Sequence, residues 1–205
     1  MAVIPFYGTS HPEIFAIERS SMDRSGAVLG ALDGVLGDGY VAERLERPSR
    51  TIVRLEPARG MRDQGGPGLW VGGDVERLPF GDAAFDCAYA TWAYFFPGFH
   101  DVRPGLAELD RVVRPGGIIA IVDNLGDDDL VRYTRFPTGT DVAFWRENSF
   151  TIAEIETEFA FESSADAGRL LGFYAGEPVA SPIPLEVSFR VALATRPART
   201  VESDV

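Results

Sequence analysis

The chain has 205 residues, 45% of them hydrophobic, and a formal net charge of -12 at neutral pH. That length and apolar content suit one packed domain over 1–205 and are short for two, and the acidity argues against a nucleic-acid backbone or an anionic membrane as partner. All 19 positive charges are Arg, and the one cysteine, Cys87, sits among apolar residues, where a buried structural thiol in a reducing, cytoplasmic setting is expected.

The opening run Met1-Ala2-Val3-Ile4-Pro5-Phe6-Tyr7 lacks a basic region and a long apolar core, so neither a signal peptide nor a membrane span is expected. Residues 27–32 read as a first strand and 38–47 as the helix after it, with Val41, Ala42 and Leu45 on one face. Residues 51–55 form a second strand rich in β-branched side chains, 68–71 a short third and 85–91 a fourth. Over 102–113, Leu106, Leu109 and Val113 recur at helical spacing, and Pro115-Gly116-Gly117 is expected to terminate that helix. The run IIAIV at 118–122 suits a strand buried on both faces. Short apolar runs alternating with helical patterns are the signature of βα units and a parallel sheet.

Beyond Asp123 the texture turns polar through about Asn148, with Phe136, Phe144 and Trp145 as apolar anchors. In 151–161 Ala153, Ile155, Thr157, Phe159 and Phe161 alternate with a face carrying Glu154, Glu156 and Glu158, as in a two-faced strand. Those glutamates discourage edge pairing of that strand; a homodimer through other faces stays open. Ser163 or Ser164 can cap a helix to about Tyr174, and 185–195 makes a last strand.

The first βα turn, 31–39, carries the ligand signal. Asp33 ends the strand, and Gly34, Gly37 and Gly39 lead into the helix, where glycine lets a ligand approach the backbone and free N–H groups face it. Glu56, followed by Pro57, closes the second strand, where a carboxylate can accept hydrogen bonds from both ribose hydroxyls of an adenosine ligand. Asp33 separates two classes of nucleotide: a carboxylate before the loop repels a pyrophosphate but suits the cationic amino group of a methionine moiety.

Taken with 72–80 (GGDVERLPF), Phe85-Asp86 and 111–117 (RVVRPGG), this order resembles the class I S-adenosylmethionine-dependent methyltransferases over about the first two-thirds of the chain. Asp33, Gly37 and Gly39 match the family's Asp-x-Gly-x-Gly-x-Gly pattern; Val35 stands where its first glycine falls, with Gly34 beside it. The resemblance implies an α/β, Rossmann-like three-layer sandwich with a seven-stranded, mostly parallel sheet and an antiparallel last strand. It also implies S-adenosyl-L-methionine as cofactor and a small-molecule acceptor. Asp74 then aligns with the adenine-amino reader and the Val75 N–H with a ring nitrogen, while Ala90 and Thr91 end the fourth strand at the cofactor crevice. Trp92, Tyr94 and Phe95 line the acceptor side in that reading; packing beneath a loop is the competing one for each ring.

The resemblance implies that 1–24 is a lid segment offering Tyr7, Arg19 and His11 to substrate or cofactor, although an ordinary amphipathic helix explains Ile14, Phe15 and Ile17 equally well, and that 124–150 is the substrate-side insertion. His100, after the aromatic run, reads first as a surface loop histidine capping the next helix, and is the candidate general base in the other reading. Neither histidine sits in a metal-ligand cluster, so no metal is expected. Two other readings stay open: a non-catalytic relative that binds a ligand or partner, and a nicotinamide-dependent oxidoreductase.

Overall fold

The structure is a computed structural model and describes residues 26–31, 40–63, 65–94, 101–134 and 139–200. In chain order the elements are β1 (Gly26–Ala31), α1 (Tyr40–Leu45), β2 (Arg50–Leu55), α2 (Arg59–Arg62), β3 (Leu69–Val71), β4 (Phe85–Thr91), α3 (Arg103–Val112) and β5 (Val113–Asn124). A 3-10 turn at Asp129–Tyr133 then leads to α4 (Val142–Glu147), β6 (Thr151–Ala160), α5 (Ser164–Ala175) and β7 (Glu186–Pro197).

The strands lie side by side in the order β3-β2-β1-β4-β5-β7-β6. From β3 to β5 all neighbours are parallel, and β7 runs antiparallel to both β5 and β6. A parallel sheet must be covered on both faces, and here two apolar clusters do so. One joins Ala120 and Val122 of β5 to Val41, Ala42 and Leu45 of α1 and to Ala167, Leu170 and Leu171 of α5. The other joins Ile119 and Ile121 to Leu106, Leu109 and Val112 of α3 and to Trp145 of α4. The result is a three-layer α/β fold of Rossmann-like type.

The turn at 114–117 departs from the sequence expectation. The helix stops at Val112, and Val113, with φ -89 and ψ 132, already belongs to β5 and is bridged to Phe85. Residues 114–117 are thus part of the strand's entry rather than a cap outside it. Gly117 is required there, because a Cβ would lie 2.4 Å from the Asp86 carbonyl. Arg114 Nε donates to Asp86 Oδ1 at 2.7 Å beside it, where β4 and β5 shift register.

The turn at Leu78-Pro79-Phe80 is clamped to α3. Arg111 donates to the carbonyls of Phe80 (2.7 Å) and Leu78 (3.1 Å), and Glu108, which it pairs with, accepts from the Leu78 N–H at 2.7 Å. Arg111 also meets Asp82 at 2.9 Å. Packing completes the joint, with the Phe80 ring edge-on to Phe85 at 4.9 Å.

In the 124–150 segment, Trp145 is fully buried among Tyr94, Phe144 and Phe150, and its indole N–H donates to Thr140 Oγ1 at 2.6 Å. Phe136, the third anchor expected there, lies outside the described residues. Ser163 caps α5 by accepting from the Asp166 N–H, and Gly176 ends it at φ 72. Ile155, Thr157 and Phe159 of β6 are buried while Glu154 and Glu156 are exposed, so the two-faced strand forms with the expected polarity.

Among the described residues, Arg54 and Arg196 are almost wholly buried. Arg54 donates to Glu46 Oε1 (2.9 Å) and the Pro67 carbonyl (3.0 Å) and lies over the Trp70 ring. Arg196 on β7 grips Asp110 on α3 with two bonds of 2.7 and 2.8 Å, its guanidinium 4.7 Å from the Phe150 ring centre. Removing one partner leaves a buried charge uncompensated. Asp110→Ala is therefore expected to cost about 3–5 kcal/mol in urea unfolding, and the double change Asp110→Leu with Arg196→Met to recover most of it.

Candidate functional site

The register aligns the carboxyl ends of the parallel strands. Ala31 is level with Leu55 and Ala90, Leu55 with Val71, and Thr91 with Val122. The residues next in the chain are therefore delivered to one edge of the sheet, the place where open α/β folds bind ligands. They are Glu56 after β2, Asp74 after β3, Trp92 after β4 and Asp123 within the last turn of β5.

Glu56 is 5% exposed. Its N–H donates to the Val71 carbonyl (3.1 Å), which ties the end of β2 to β3, and its Oε1 accepts from the Ala58 N–H at 2.7 Å. Burial raises its pKa from its ordinary value, opposed by the Ala58 N–H and by Arg62. Arg62 itself donates to the carbonyls of Glu56 and Pro57, which fixes the turn; Pro57 is exposed. A buried, raised carboxylate is the type of acceptor that a pair of ribose hydroxyls would satisfy.

Asp74 is exposed and uses Oδ1 to accept from the Glu76 N–H at 3.0 Å, and its carbonyl accepts from Arg77 N at 3.2 Å. This is an Asx turn, which leaves Oδ2 as its outward acceptor. Val75 is buried at 3% exposed, and its N–H makes no hydrogen bond with another described residue. A carboxylate oxygen beside an N–H is the donor-acceptor pairing that an adenine edge requires.

Ala90 and Thr91 are buried at the end of β4. Trp92 comes next at φ 50, a left-handed conformation that costs a bulky side chain roughly 1–2 kcal/mol. Two bonds hold it there: its N–H to the Val122 carbonyl (2.8 Å) and its indole N–H to Asn124 Oδ1 (3.0 Å). Its ring is half-buried at the strand edge. Tyr94, expected as an aromatic wall for substrate, is instead a core residue. It is 2% exposed, edge-on to Trp145 at 6.1 Å and packed against Gly105, and burial raises its pKa well above the usual phenol value.

Asp33, Gly34, Val35, Gly37 and Gly39, with Tyr7, His11, Arg19, Phe95 and His100, lie outside the described residues. The structure therefore brings together Glu56, Asp74, Val75, Ala90, Thr91 and Trp92 from the sequence reading. Among the described residues no group of His, Cys, Asp and Glu could hold a metal ion, and no helix is long and apolar enough to cross a membrane.

Asp123 is the group that sequence reasoning gave no role. It is 5% exposed; Oδ1 accepts from the Asn124 N–H at 2.9 Å, while Oδ2 is buried without a hydrogen bond. The Thr140 hydroxyl lies near the carboxyl without forming a good bond to Oδ2. The segment bearing it returns over the strand end, where Thr140 N donates to the Asn124 carbonyl at 2.7 Å. Burial pushes the Asp123 pKa up to about 8, tempered by the Asn124 N–H and by Thr140. The signal was present in the chain: an acid directly after a strand buried on both faces, the same pattern that marks Glu56.

Away from this edge, a groove of about 620 Å³ runs along β6 and β7, lined by Asp127, Asp129, Glu156, Glu158, Arg132 and Arg190 among others. Its charges are largely spent on each other, with Arg190 on Asp127 (2.5 Å) and Glu154 (3.2 Å) and Arg132 on Asp129 (3.2 Å).

Because the folded-state pKa of Asp123 lies above its ordinary 3.8, its contribution to stability is fully present below that value and is lost as pH rises through about 8. Asp123→Asn, which cannot ionise, is expected to melt at a higher temperature than the parent, with the gap widening across that window. Thermal melts at stepped pH check this; a gap independent of pH would contradict it.

Residues 32–121 match the model of a family described as a methyltransferase domain. The chain is 30% identical over 125 residues to a malonyl-[acyl-carrier protein] O-methyltransferase of Pectobacterium atrosepticum, a match covering 56% of this chain and 48% of that protein. It is 33% identical over 114 residues to a demethylmenaquinone methyltransferase of Beutenbergia cavernae, covering 51% and 45%. The chain thus spans about half the length of these curated relatives. Among solved structures, the YcgJ protein of Bacillus subtilis superposes with a TM-score of 0.65 at 15% identity, covering 93% of this chain and 100% of that one. A protein of Bacillus halodurans gives 0.64 at 17%, with the same coverage. At such identities the two structures speak for the fold alone. Residues 32–121 are thus similar to a methyltransferase domain, and the curated relatives they resemble are methyltransferases.

Proposed function

We propose that this protein binds S-adenosyl-L-methionine at the carboxyl edge of its parallel strands and transfers the methyl group to a small-molecule acceptor. The observation that carries the reading is Glu56, a carboxylate buried at the end of β2 with one oxygen anchored by Ala58 and its backbone tied to β3. The residues at this edge fit the cofactor. Glu56 would take the ribose hydroxyls, and Asp74 Oδ2 with the Val75 N–H would take the adenine edge. Ala90 and Thr91 would floor the crevice, and Asp33 with Gly34, Gly37 and Gly39 would take the methionine end. When bound, the cofactor supplies an electrophilic methyl group on a positively charged sulfur, and the chain's own residues need mainly to position the acceptor and exclude water.

On the acceptor side, Trp92 is the aromatic surface that the described strand edge offers, with its ring orientation set by Asn124. Tyr7, Phe95 and His100 remain proposals for the same side, His100 as a general base; the segments 1–24 and 124–150 are proposed as lid and substrate-side insertion of a single domain. The net charge of -12 favours a small acceptor over a nucleic acid or an anionic membrane, and the buried free thiol of Cys87 fits a reducing, cytoplasmic setting. A homodimer is compatible with this reading.

Calorimetric titration with S-adenosylhomocysteine is expected to give micromolar binding. Glu56→Ala removes two hydrogen bonds to a charged acceptor, so its affinity is expected to fall by about 100-fold or more. No binding by the parent protein at millimolar ligand would contradict the reading and favour a relative that acts without methyl transfer.

A further inference from the structure

We propose that Asp123 is the proton acceptor for the methyl acceptor, which is therefore a neutral hydroxyl compound such as a phenol or hydroquinone rather than a carboxylate. The proposal rests on the methyl-transfer reading above and deepens it.

A buried acid kept for structure alone uses its oxygens. Arg196 and Asp110 show this in the same protein, since both oxygens of Asp110 are bonded. Asp123 does not conform to that pattern, because Oδ2 is buried and has no hydrogen bond. Its place is the carboxyl edge of β5, one step beyond Val122, which is level with Thr91 and accepts the Trp92 N–H. The next residue, Asn124, fixes the Trp92 indole. Asp123 thus lies in the chain between the two residues, Val122 and Asn124, that hold Trp92 at this strand edge.

Around the carboxyl, the Asn124 N–H and the Thr140 hydroxyl are the polar groups that act on it. Ala192 of β7 is its cross-strand neighbour, β4 contributes Thr91 and Trp92 at this level, and the segment before α4 contributes Thr140. Among the described residues no charged group acts on its titration. The Thr140 hydroxyl is itself oriented: its oxygen accepts the Trp145 indole N–H at 2.6 Å, so its proton is directed elsewhere.

These facts select the acceptor. A carboxylate acceptor is already deprotonated, needs no base, and would bring a second negative charge against a buried acid. A phenol or hydroquinone is neutral and must lose a proton as it attacks. The acceptor oxygen gains its bond to the methyl carbon and gives its proton to Asp123 Oδ2, the pair from the broken carbon–sulfur bond stays on sulfur, and the carboxyl later releases the proton to water. A base whose pKa lies near the working pH suits such a transfer.

The test compares 2-naphthol and 1,4-dihydroxynaphthalene with 2-naphthoic acid as acceptors, in the parent protein, Asp123→Asn and Thr140→Val. Expected is methylation of the hydroxyl compounds and not of the acid, with kcat/KM rising through about pH 8. Asp123→Asn should lose about 10²–10⁴-fold and that inflection, while S-adenosylhomocysteine still binds with parental affinity. Thr140→Val, which removes the group that tempers the shift, should move the inflection to higher pH. Independently of turnover, infrared spectra should show a protonated-carboxyl band that titrates near pH 8 and is absent in Asp123→Asn. The proposal is overturned if the acid is the better acceptor, if Asp123→Asn keeps the parental rate and profile, or if neither hydroxyl compound is methylated by protein that binds S-adenosylhomocysteine. Failure of the parent to bind S-adenosylhomocysteine overturns the methyl-transfer reading itself.

Discussion

The constraint on which the rest of this structure depends is that a parallel sheet buries both of its faces. The stretches that cross the core are then apolar, as 87–90 and 118–122 are, and a polar group inside a strand, such as Arg54, needs partners. Because Ala31, Leu55, Val71, Ala90 and Val122 end nearly level, the residues after them fall on one edge. Glu56, Asp74, Trp92 and Asp123 lie along one edge of the sheet for that reason. Chemistry at this edge is a by-product of how the core is closed.

The same constraint explains why the chain spends so many charged contacts away from the edge. Arg111 and Glu108 of α3 hold the 78–80 turn, Arg114 holds Asp86, and Arg196 with Asp110 ties β7 to α3. With no lysine in the chain, each of these joints rests on a planar guanidinium, and Arg111 and Arg196 make several bonds at once, which suits the fixing of backbone carbonyls and carboxylates. The two conspicuous motifs at 72–80 and 111–117 are in this light a single mechanical unit. They keep β3, β4 and β5 in register and so keep the strand ends level, which makes them diagnostic of the fold more than of the activity.

Much of this was legible in the chain. Phe85–Thr91 follows a turn at Gly81-Asp82 and reads as an apolar run, and Ser163 announces α5 as a cap should. Residues 113–117 were not legible, because a Pro-Gly-Gly run normally signals a stop. Only the 2.4 Å clearance at Gly117 against Asp86 shows that the glycine serves a strand crossing. Tyr94 was misassigned for a related reason: aromatic rings after a strand look alike in sequence, and only the distant Trp145 decides which of them is core. Asp74 combines both meanings, a turn on one oxygen and an outward acceptor on the other. Asp123 escaped because an acid before Asn reads as a loop residue until its burial is seen.

The central claim is that the carboxyl edge between β2 and β3 is the nucleoside site. A crystal structure of the protein with S-adenosylhomocysteine tests it most directly. The predicted result is the ribose hydroxyls on the Glu56 carboxylate, with the adenine edge between Asp74 and the Val75 N–H. Density for the nucleoside elsewhere, with the Glu56 carboxylate still bonded only to Ala58, would contradict it.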